Sequence, residues 1–343
     1  MPREQRGFAF ARYGAGARLA GLAAFLVAAG CEPTVSGPAT EGDHQPATLA
    51  ANIVYSPPID LGNFSPLAIN NAGIVVGGKQ SILTGPAVRW QAGVLTDIGT
   101  PAGCLTSVAR DINAAGVITG FCTTNFLSRA FRWYPSTGTM VLLTGGDFTE
   151  GWAINTAGRV VGYQSRPGDP THALWWGRLN LFPPHDINPS GYISSTAFGV
   201  NSAGDMVGCA EKPGSFAFIW YHGGATQDLG IDGCARDVND DLQVVGNGGA
   251  GGFFWTASGG IQNLGFTALH INAVGRVVGG YISSGSSFTW RDGVLTPLPP
   301  AIPNGYALAF ALNDCGVVVG EAEFTPSQFP RHAAMWIPST CEN

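Results

Sequence analysis

Eight side chains outside any repeated pattern have the types needed for acid–base or binding chemistry: Asp169, His172, His185, Glu211, Glu321, Glu323, Arg331 and His332. Glycoside cleavage needs two carboxylates held about 5–10 Å apart across the scissile bond. No spacing in the chain singles out such a pair, and charges solvated on loops explain the same residues. The six histidines (44, 172, 185, 222, 270 and 332) show no metal-ligand spacing. No G-x-S-x-G, P-loop or dinucleotide fingerprint occurs, so neither metal nor cofactor is expected. The sequence Ala-Arg-Asp-Ile/Val-Asn appears twice, at 109–113 and 235–239. Arg110 with Asp111 and Arg236 with Asp237 either line a central channel or form ion pairs between neighbouring sheets.

What positions these residues is a repeat. Its clearest copy is Ala153-Ile154-Asn155-Thr156-Ala157-Gly158-Arg159-Val160-Val161-Gly162, and its Asn recurs at 70, 113, 155, 201, 239, 272 and 313. In every copy a Gly follows seven residues later, at 77, 120, 162, 208, 246, 279 and 320. A period of 33 to 46 residues is the signature of a solenoid, propeller or array. Each copy also carries a Trp after apolar residues (Trp90, Trp133, Trp176, Trp220, Trp255, Trp290, Trp336) and an aliphatic run that ends near Leu-Gly, as in Ile59-Asp60-Leu61-Gly62. Weaker forms of that run lie at Leu142-Leu143, Leu179 to Phe182 and Leu295 to Leu298.

These parts predict a four-stranded antiparallel meander. The first strand ends at the Asn, and Asn-x-x-Gly makes a tight turn in which the Asn side chain bonds the turn backbone. The Val-Val run, the Ala-Phe-x-Trp run and the aliphatic run follow as the second, third and fourth strands. The fifth copy has Asp240-Asp241-Leu242 and no turn Gly, so a different turn is expected there. In the first strand, Ile, Val or Leu precedes each Asn and a large residue stands two places earlier. Four places before the Asn stand small residues (Pro66, Ala109, Gly151, Ala197, Ala235, Ala268, Ala309). Strict alternation would put bulk on one face and small residues on the other.

The expected fold is an all-β, seven-bladed β-propeller of four-stranded blades. The chain begins with a fourth-type strand and finishes on a third-type strand. An N-terminal strand completing the last blade would close the ring and leave no open edge. The repeated Asn, Gly and Trp residues are read as turn and packing elements, against the alternative of seven equivalent sugar pockets. Function is sought where copies differ. Call the edge where each first strand begins the top: its loops run from short (Asn247 to Gly251) to long (Tyr163 to Thr171; Glu321 to His332). A further enlarged loop, Pro183 to Thr196, contains Asp186-Ile187-Asn188-Pro189-Ser190-Gly191, either a decayed hairpin or a functional loop. Asp169, His172, Glu211, Glu321, Glu323, Arg331 and His332 are the candidate ligand-binding residues of this edge, and no residue is assigned a catalytic role.

The first thirty residues read as a signal peptide, with Arg3, Arg6, Arg12 and Arg18 ahead of an apolar run from Leu19 to Gly30. Val27-Ala28-Ala29-Gly30-Cys31 resembles the lipobox of bacterial lipoproteins, which implies cleavage before Cys31 and acylation of its thiol. Residues 31–51 form a polar tether rich in Pro, Thr and Ala, and 52–343 the repeat domain. Without the leader the chain keeps 13 basic and 22 acidic residues, an acidic balance that argues against nucleic acid or anionic lipid as partner. Membrane association is expected only through the lipid. Apart from Cys31 there are six cysteines: Cys104, Cys122, Cys209, Cys234, Cys315 and Cys341. In an exported domain these read as three disulfides. Of the fifteen connectivities, pairing in sequence order is compatible with the meander, since it places both partners of each bridge on one edge.

The Asn-x-x-Gly…Val-Val-Gly units with His/Arg-Ala-Phe-x-Trp are similar to the HAF family of bacterial extracellular repeat proteins, over residues 52 to 336. The resemblance implies architecture and an extracellular or cell-envelope location, and supplies no catalytic residues. The functional expectation is an exported, lipid-anchored monomer that binds a protein or glycan partner through its loops. The alternative is an extracytoplasmic carbohydrate-active hydrolase or lyase that uses top-edge carboxylates.

Overall fold

The structure, a computed structural model, describes residues 53–79, 85–180 and 183–342. The signal peptide, Cys31 and the tether lie outside these residues, as do Leu181 and Phe182. The described chain is all β. After β1 (Ile59–Gly62) come β2 (Phe64–Ile69), β3 (Val75–Lys79), β4 (Ala87–Gln91) and β5 (Val94–Gly99), one antiparallel sheet in sequence order. Next, β6 (Thr106–Ile112), β7 (Ile118–Thr123), β8 (Ser128–Tyr134) and β9 (Thr139–Leu142) pair in order. The same order holds for β10 (Phe148–Ile154), β11 (Val160–Arg166), β12 (Asp169–Trp176) and β13 (His185–Asp186). One parallel pairing, Phe148 with Ser128, joins these two runs into an eight-stranded sheet.

A seven-stranded sheet holds β14 (Ser194–Val200), β15 (Met206–Lys212), β16 (Gly214–Trp220), β17 (Thr226–Val238), β18 (Val244–Gly248), β19 (Gly251–Thr256) and β20 (Gly260–Asn263). Its long member, β17, pairs with β16 through Thr226 to Asp232 and with β18 through Gly233 to Val238, so it serves two copies of the repeat. Then follow β21 (Thr267–Ile271), β22 (Val277–Tyr281), β23 (Ser286–Arg291) and β24 (Val294–Pro297), and finally β25 (Ala307–Leu312), β26 (Val318–Ala322) and β27 (His332–Trp336). The fourth member of that last sheet is β1, which pairs antiparallel with β27 through Ile59–Met335 and Asp60–Ala334. The two ends of the described residues lie together there, with Ser56 N donating to Ile337 O and Ser339 N to Val54 O.

Register repeats with the sequence. Each repeat Trp faces the first apolar residue of its second strand, as Trp133 faces Ile118 and Trp336 faces Val318. Five of these Trp are buried; Trp90 and Trp220 are half-buried. At each Asn the side-chain Oδ1 accepts a main-chain N–H of its own turn, as from Arg159 N at 2.9 Å for Asn155. The fifth copy corrects the expectation. Leu242 takes φ +56° and makes the same turn as the Gly copies, donating its N–H to Asn239 O. A turn of fixed length, held by Asn239, imposes on Leu a conformation normally left to Gly.

The first strands also depart from strict alternation. In all seven, a β-bulge follows the small residue four before the Asn, as between Ala109 and Asp111 or Ala235 and Asp237. That small residue pairs with the conserved-position Gly of the second strand, where a Cβ would overlap a first-strand carbonyl oxygen; at Gly162 it would meet Glu150 O. A bulge re-aims a side chain. Accordingly the residues three before the Asn (Leu67, Arg110, Trp152, Phe198, Arg236, Leu269, Phe310) are all half-buried, and do not share the fully covered face of the small residues.

The stretch 183–196 is resolved by its hydrogen bonds. In β1, β5 and β17 an Asp accepts the N–H of the Gly two residues on: Asp60 from Gly62, Asp97 from Gly99 and Asp228 from Gly230. Asp186 accepts Asn188 N at 2.8 Å in the same way, and Ile187 is buried between them. Asp186-Ile187-Asn188 is therefore the end of the third copy's fourth strand. It stands several residues later than the Leu179 to Phe182 run that hydrophobicity suggested.

Candidate functional site

The top-edge candidates fall into three groups on different sheets. On the last sheet, Glu321 accepts Ser65 Oγ at 2.7 Å, and burial pushes its carboxyl above the usual range. Arg331 Nε lies 3.6 Å from Glu323, and its guanidinium stands 3.5 Å over the Tyr306 ring. His332 Nδ1 reaches Asp60 of β1 at 2.9 Å. In the third copy His172 Nδ1 pairs with Asp186 at 2.6 Å, while Asp169 faces Arg166 at the exposed hairpin end. Glu211 accepts Ser194 Oγ at 3.2 Å, and burial raises it too. The top edge thus offers three separate polar groups. Leu105, Phe126, Ile193 and Phe329 expose large apolar side chains on the same edge, Phe126 by 72% and Phe329 by 86%.

The three disulfides pair in sequence order: Cys104–Cys122, Cys209–Cys234 and Cys315–Cys341, with Cα separations of 5.9, 4.6 and 4.4 Å. Such bridges belong to an oxidising, exported environment. Among the described residues no helix is long and apolar enough to cross a membrane.

A second group lies on the first strands. The seven repeat Asn form a hydrogen-bonded circuit: each Nδ2 donates to the main-chain carbonyl of the next copy's Asn, at 3.0–3.3 Å. The final link runs from Asn313 back to Asn70. The ends of the seven first strands therefore follow one another in a closed loop. Just upstream, the bulged positions carry Arg110, Trp152, Phe198 and Arg236 in consecutive copies. The Arg110 guanidinium covers the Trp152 ring at 4.3 Å, Trp152 meets Phe198 edge-on at 4.9 Å, and Arg236 covers Phe198 at 4.5 Å.

Polar neighbours complete the cluster. Glu150 lies 3.7 Å from Arg110, and His270 Nε2 lies 3.5 Å from Asp237. Burial lowers Arg110, with Glu150 opposing; burial, then the charge of Arg110, lowers Arg236 to about 10. Asp111 is raised by burial and senses both His270 and Asp237, which stand on strands distant along the circuit.

The two Ala-Arg-Asp motifs form the expected pairs between neighbouring copies only in part: Arg110 faces Glu150 and Asp237 faces His270 of the next copy, while Arg236 makes none among the described residues. Asp111 accepts the N–H groups of Ile112 and Ile154, both at 2.7 Å; Asp237 accepts Val238 and Ile271, both at 2.9 Å. Each Asp thus clamps its own bulge to the next strand and leaves the Arg beside it unpaired with it. Sequence reading found the arginines and missed Glu150, Trp152, Phe198 and His270. The available signal was their common offset of two to five residues before the repeat Asn.

No protein-family model matches the chain, and no curated protein matches it in sequence. Solved structures do. The chain is similar to the β-propeller domain of the Trilobed protease from Pyrococcus furiosus (TM-score 0.53, 12% identity, 86% of this chain and 97% of that one). It is also similar to YCF48 bound to D1 peptide (TM-score 0.52, 10% identity, 82% and 94%). A third similarity is to the Pyrococcus horikoshii acylaminoacyl peptidase (TM-score 0.53, 10% identity), over 82% of this chain and 53% of that one. The fold is that of a β-propeller. At these identities the likeness concerns fold alone.

Proposed function

We propose that the chain is a seven-bladed β-propeller of the HAF-repeat kind, exported and anchored through a lipid on Cys31, which acts as a monomeric binding scaffold for a protein or glycan at the cell envelope. The seven-membered Asn circuit and the pairing of β1 with β27 support seven blades and a closed ring. The observation that carries the binding reading is the composition of the top edge. Loops of unequal length present exposed Leu105, Phe126, Ile193 and Phe329 on the edge that also carries the Glu323–Arg331 and His172–Asp186 pairs. Aromatic and Arg side chains on loops over a rigid scaffold are the usual anchors of recognition surfaces.

The hydrolase reading rests on Glu321, whose carboxyl is raised by burial as a general acid requires. One experiment separates the two: glycan-array binding and polysaccharide turnover by the purified protein. Binding that falls in Phe126→Ala and Phe329→Ala, without turnover, supports the scaffold. Turnover abolished by Glu321→Gln or Asp169→Asn contradicts it. The anchor is tested by the intact mass of the processed chain, which Cys31→Ser would return to the unacylated value.

A further inference from the structure

The cluster inside the Asn circuit holds more positive charge than its neighbours satisfy. Arg236 has no hydrogen bond or ion pair to any described residue, and its Nε is fully enclosed. Arg110 Nε and Trp152 Nε1 are likewise enclosed without an acceptor, as is His270 Nδ1. A guanidinium carries five N–H donors, and a donor enclosed without an acceptor is costly for a fold to retain. The two arginines also repel, since the charge of Arg110 contributes to the lowering of Arg236. Nearby carboxylates are otherwise engaged: Asp111 and Asp237 each accept two main-chain N–H groups, and Glu150 is shared between Arg110 and the Tyr163 hydroxyl. The cluster is not sealed: the side chains of His270, Asp237 and Glu150 are 34%, 17% and 15% exposed. Orphaned donors gathered at an opening call for an acceptor from outside.

We propose that the middle of the first-strand ring is a binding site for a small oxyanion-bearing ligand, a carboxylate or a sulfate or phosphate group, which is held by the Nη groups of Arg236 and Arg110. The fork geometry of guanidinium matches all three anions. The Trp152 and Phe198 rings hold the arginines from their faces and leave their N–H edges for the ligand. Asp111 and Asp237 brace the bulges that aim the arginines inward. This site is independent of the top-edge surface, being built on the opposite ends of the first strands.

The test is calorimetric titration of the full purified chain with glucuronate, inorganic sulfate and inorganic phosphate at constant ionic strength, with glucose as neutral control. The expected result is saturable one-to-one binding of at least one of the three anions and none of glucose; which anion binds identifies the group. In Arg236→Met the affinity should fall at least about tenfold, as loss of one charge-assisted contact requires. That variant should also melt above the wild type without ligand, because it removes an unpaired buried charge. Anion protection of Arg236 and Arg110 from phenylglyoxal, read by peptide mass, reports on the unaltered protein. The proposal is overturned if the folded wild type binds none of the three anions, if Arg236→Met binds as well as wild type, or if Arg236→Met melts lower. The last result would make Arg236 part of the frame.

Discussion

Asn313 donates its side-chain amide to the main-chain carbonyl of Asn70, 243 residues earlier, at 3.3 Å. Six equivalent bonds lead from Asn70 round to Asn313, so this contact completes a loop in which each copy is tied to the next through one buried amide. The same amides hold their own turns through Oδ1, as Asn313 does by accepting Val317 N at 3.0 Å. One side chain thus fixes both a hairpin and its neighbour, which is why seven otherwise different copies all keep it.

Replacement of one such amide should therefore be costly. Asn155→Ala leaves Arg159 N without its partner and removes the bond between copies to Asn201 O, which keeps Gly204 N. An abandoned N–H costs about 1–3 kcal/mol and the lost bond about 1 kcal/mol, so a loss of about 2–4 kcal/mol is expected. Urea unfolding monitored by Trp fluorescence measures it. Ser136→Ala, at an exposed turn, should stay within about 0.5 kcal/mol of wild type.

The bulge imposes a second strict requirement. At Gly162 an added Cβ overlaps the carbonyl oxygen of Glu150, which is backbone and cannot swing aside. Gly162→Ala should lose about 3 kcal/mol, in the upper part of the range for overpacking. The same unfolding experiment checks it, and a near-neutral result would mean that the bulge relaxes.

The frame was largely legible in the sequence, because turns and strand registers need the same residue types in every copy. Asn and Gly recur at a fixed offset of seven with a Trp in every copy, and pairing of the cysteines in sequence order is compatible with the strand directions they specify. The bulge was not legible. Its cause is backbone geometry opposite a Gly, and the residue it re-aims differs in every copy: Leu67, Arg110, Trp152, Phe198, Arg236, Leu269 and Phe310. Hydrophobic alternation placed that position on the packed face with the Ile before the Asn. Only the hydrogen-bond pattern shows Asp186 to be the counterpart of Asp60, Asp97 and Asp228, because Asn188 stands where those copies have Gly. The top-edge residues were correctly placed on one edge by strand direction, but sequence separation could not say that they divide among three sheets.

The C-terminal tail should act as a latch. Cys341 is bridged to Cys315, and Glu342 makes a bidentate pair with buried Arg276 through Nε and Nη2, both at 2.5 Å. A bridge across 26 residues contributes about 3 kcal/mol by restricting the unfolded chain. Cys315→Ser with Cys341→Ser should lower the urea midpoint accordingly, and should increase hydrogen exchange at the N–H of Ser56 and Ser339.

Two carboxyls should give opposite pH slopes. In Glu342, burial acts upward but the hydrogen bond and charge of Arg276 prevail, so its folded value lies below the ordinary 4.5. Its contribution is therefore present above pH 4.5 and lost as pH falls through the folded value. Glu321 is raised by burial, so the folded state holds its proton more tightly; stability falls as pH rises from 4.5 through its folded value. Glu342→Gln should remove part of the acid loss, and Glu321→Gln part of the decline on the other side. Urea midpoints between pH 3 and 8 distinguish them.

The most direct test of the closed frame on which both proposed binding surfaces depend is side-chain amide exchange of the seven Asn, followed by nitrogen-15 NMR in deuterated buffer. Seven strongly protected Nδ2 pairs are expected, those of Asn70, Asn113, Asn155, Asn201, Asn239, Asn272 and Asn313. Asn313→Ala removes the Oδ1 bond that holds its own turn and, by loosening the carbonyl of residue 313, should weaken protection at Asn272. If these amides exchanged as fast as that of exposed Asn125, the seven-membered circuit would not exist and the ring would have to be held together in some other way.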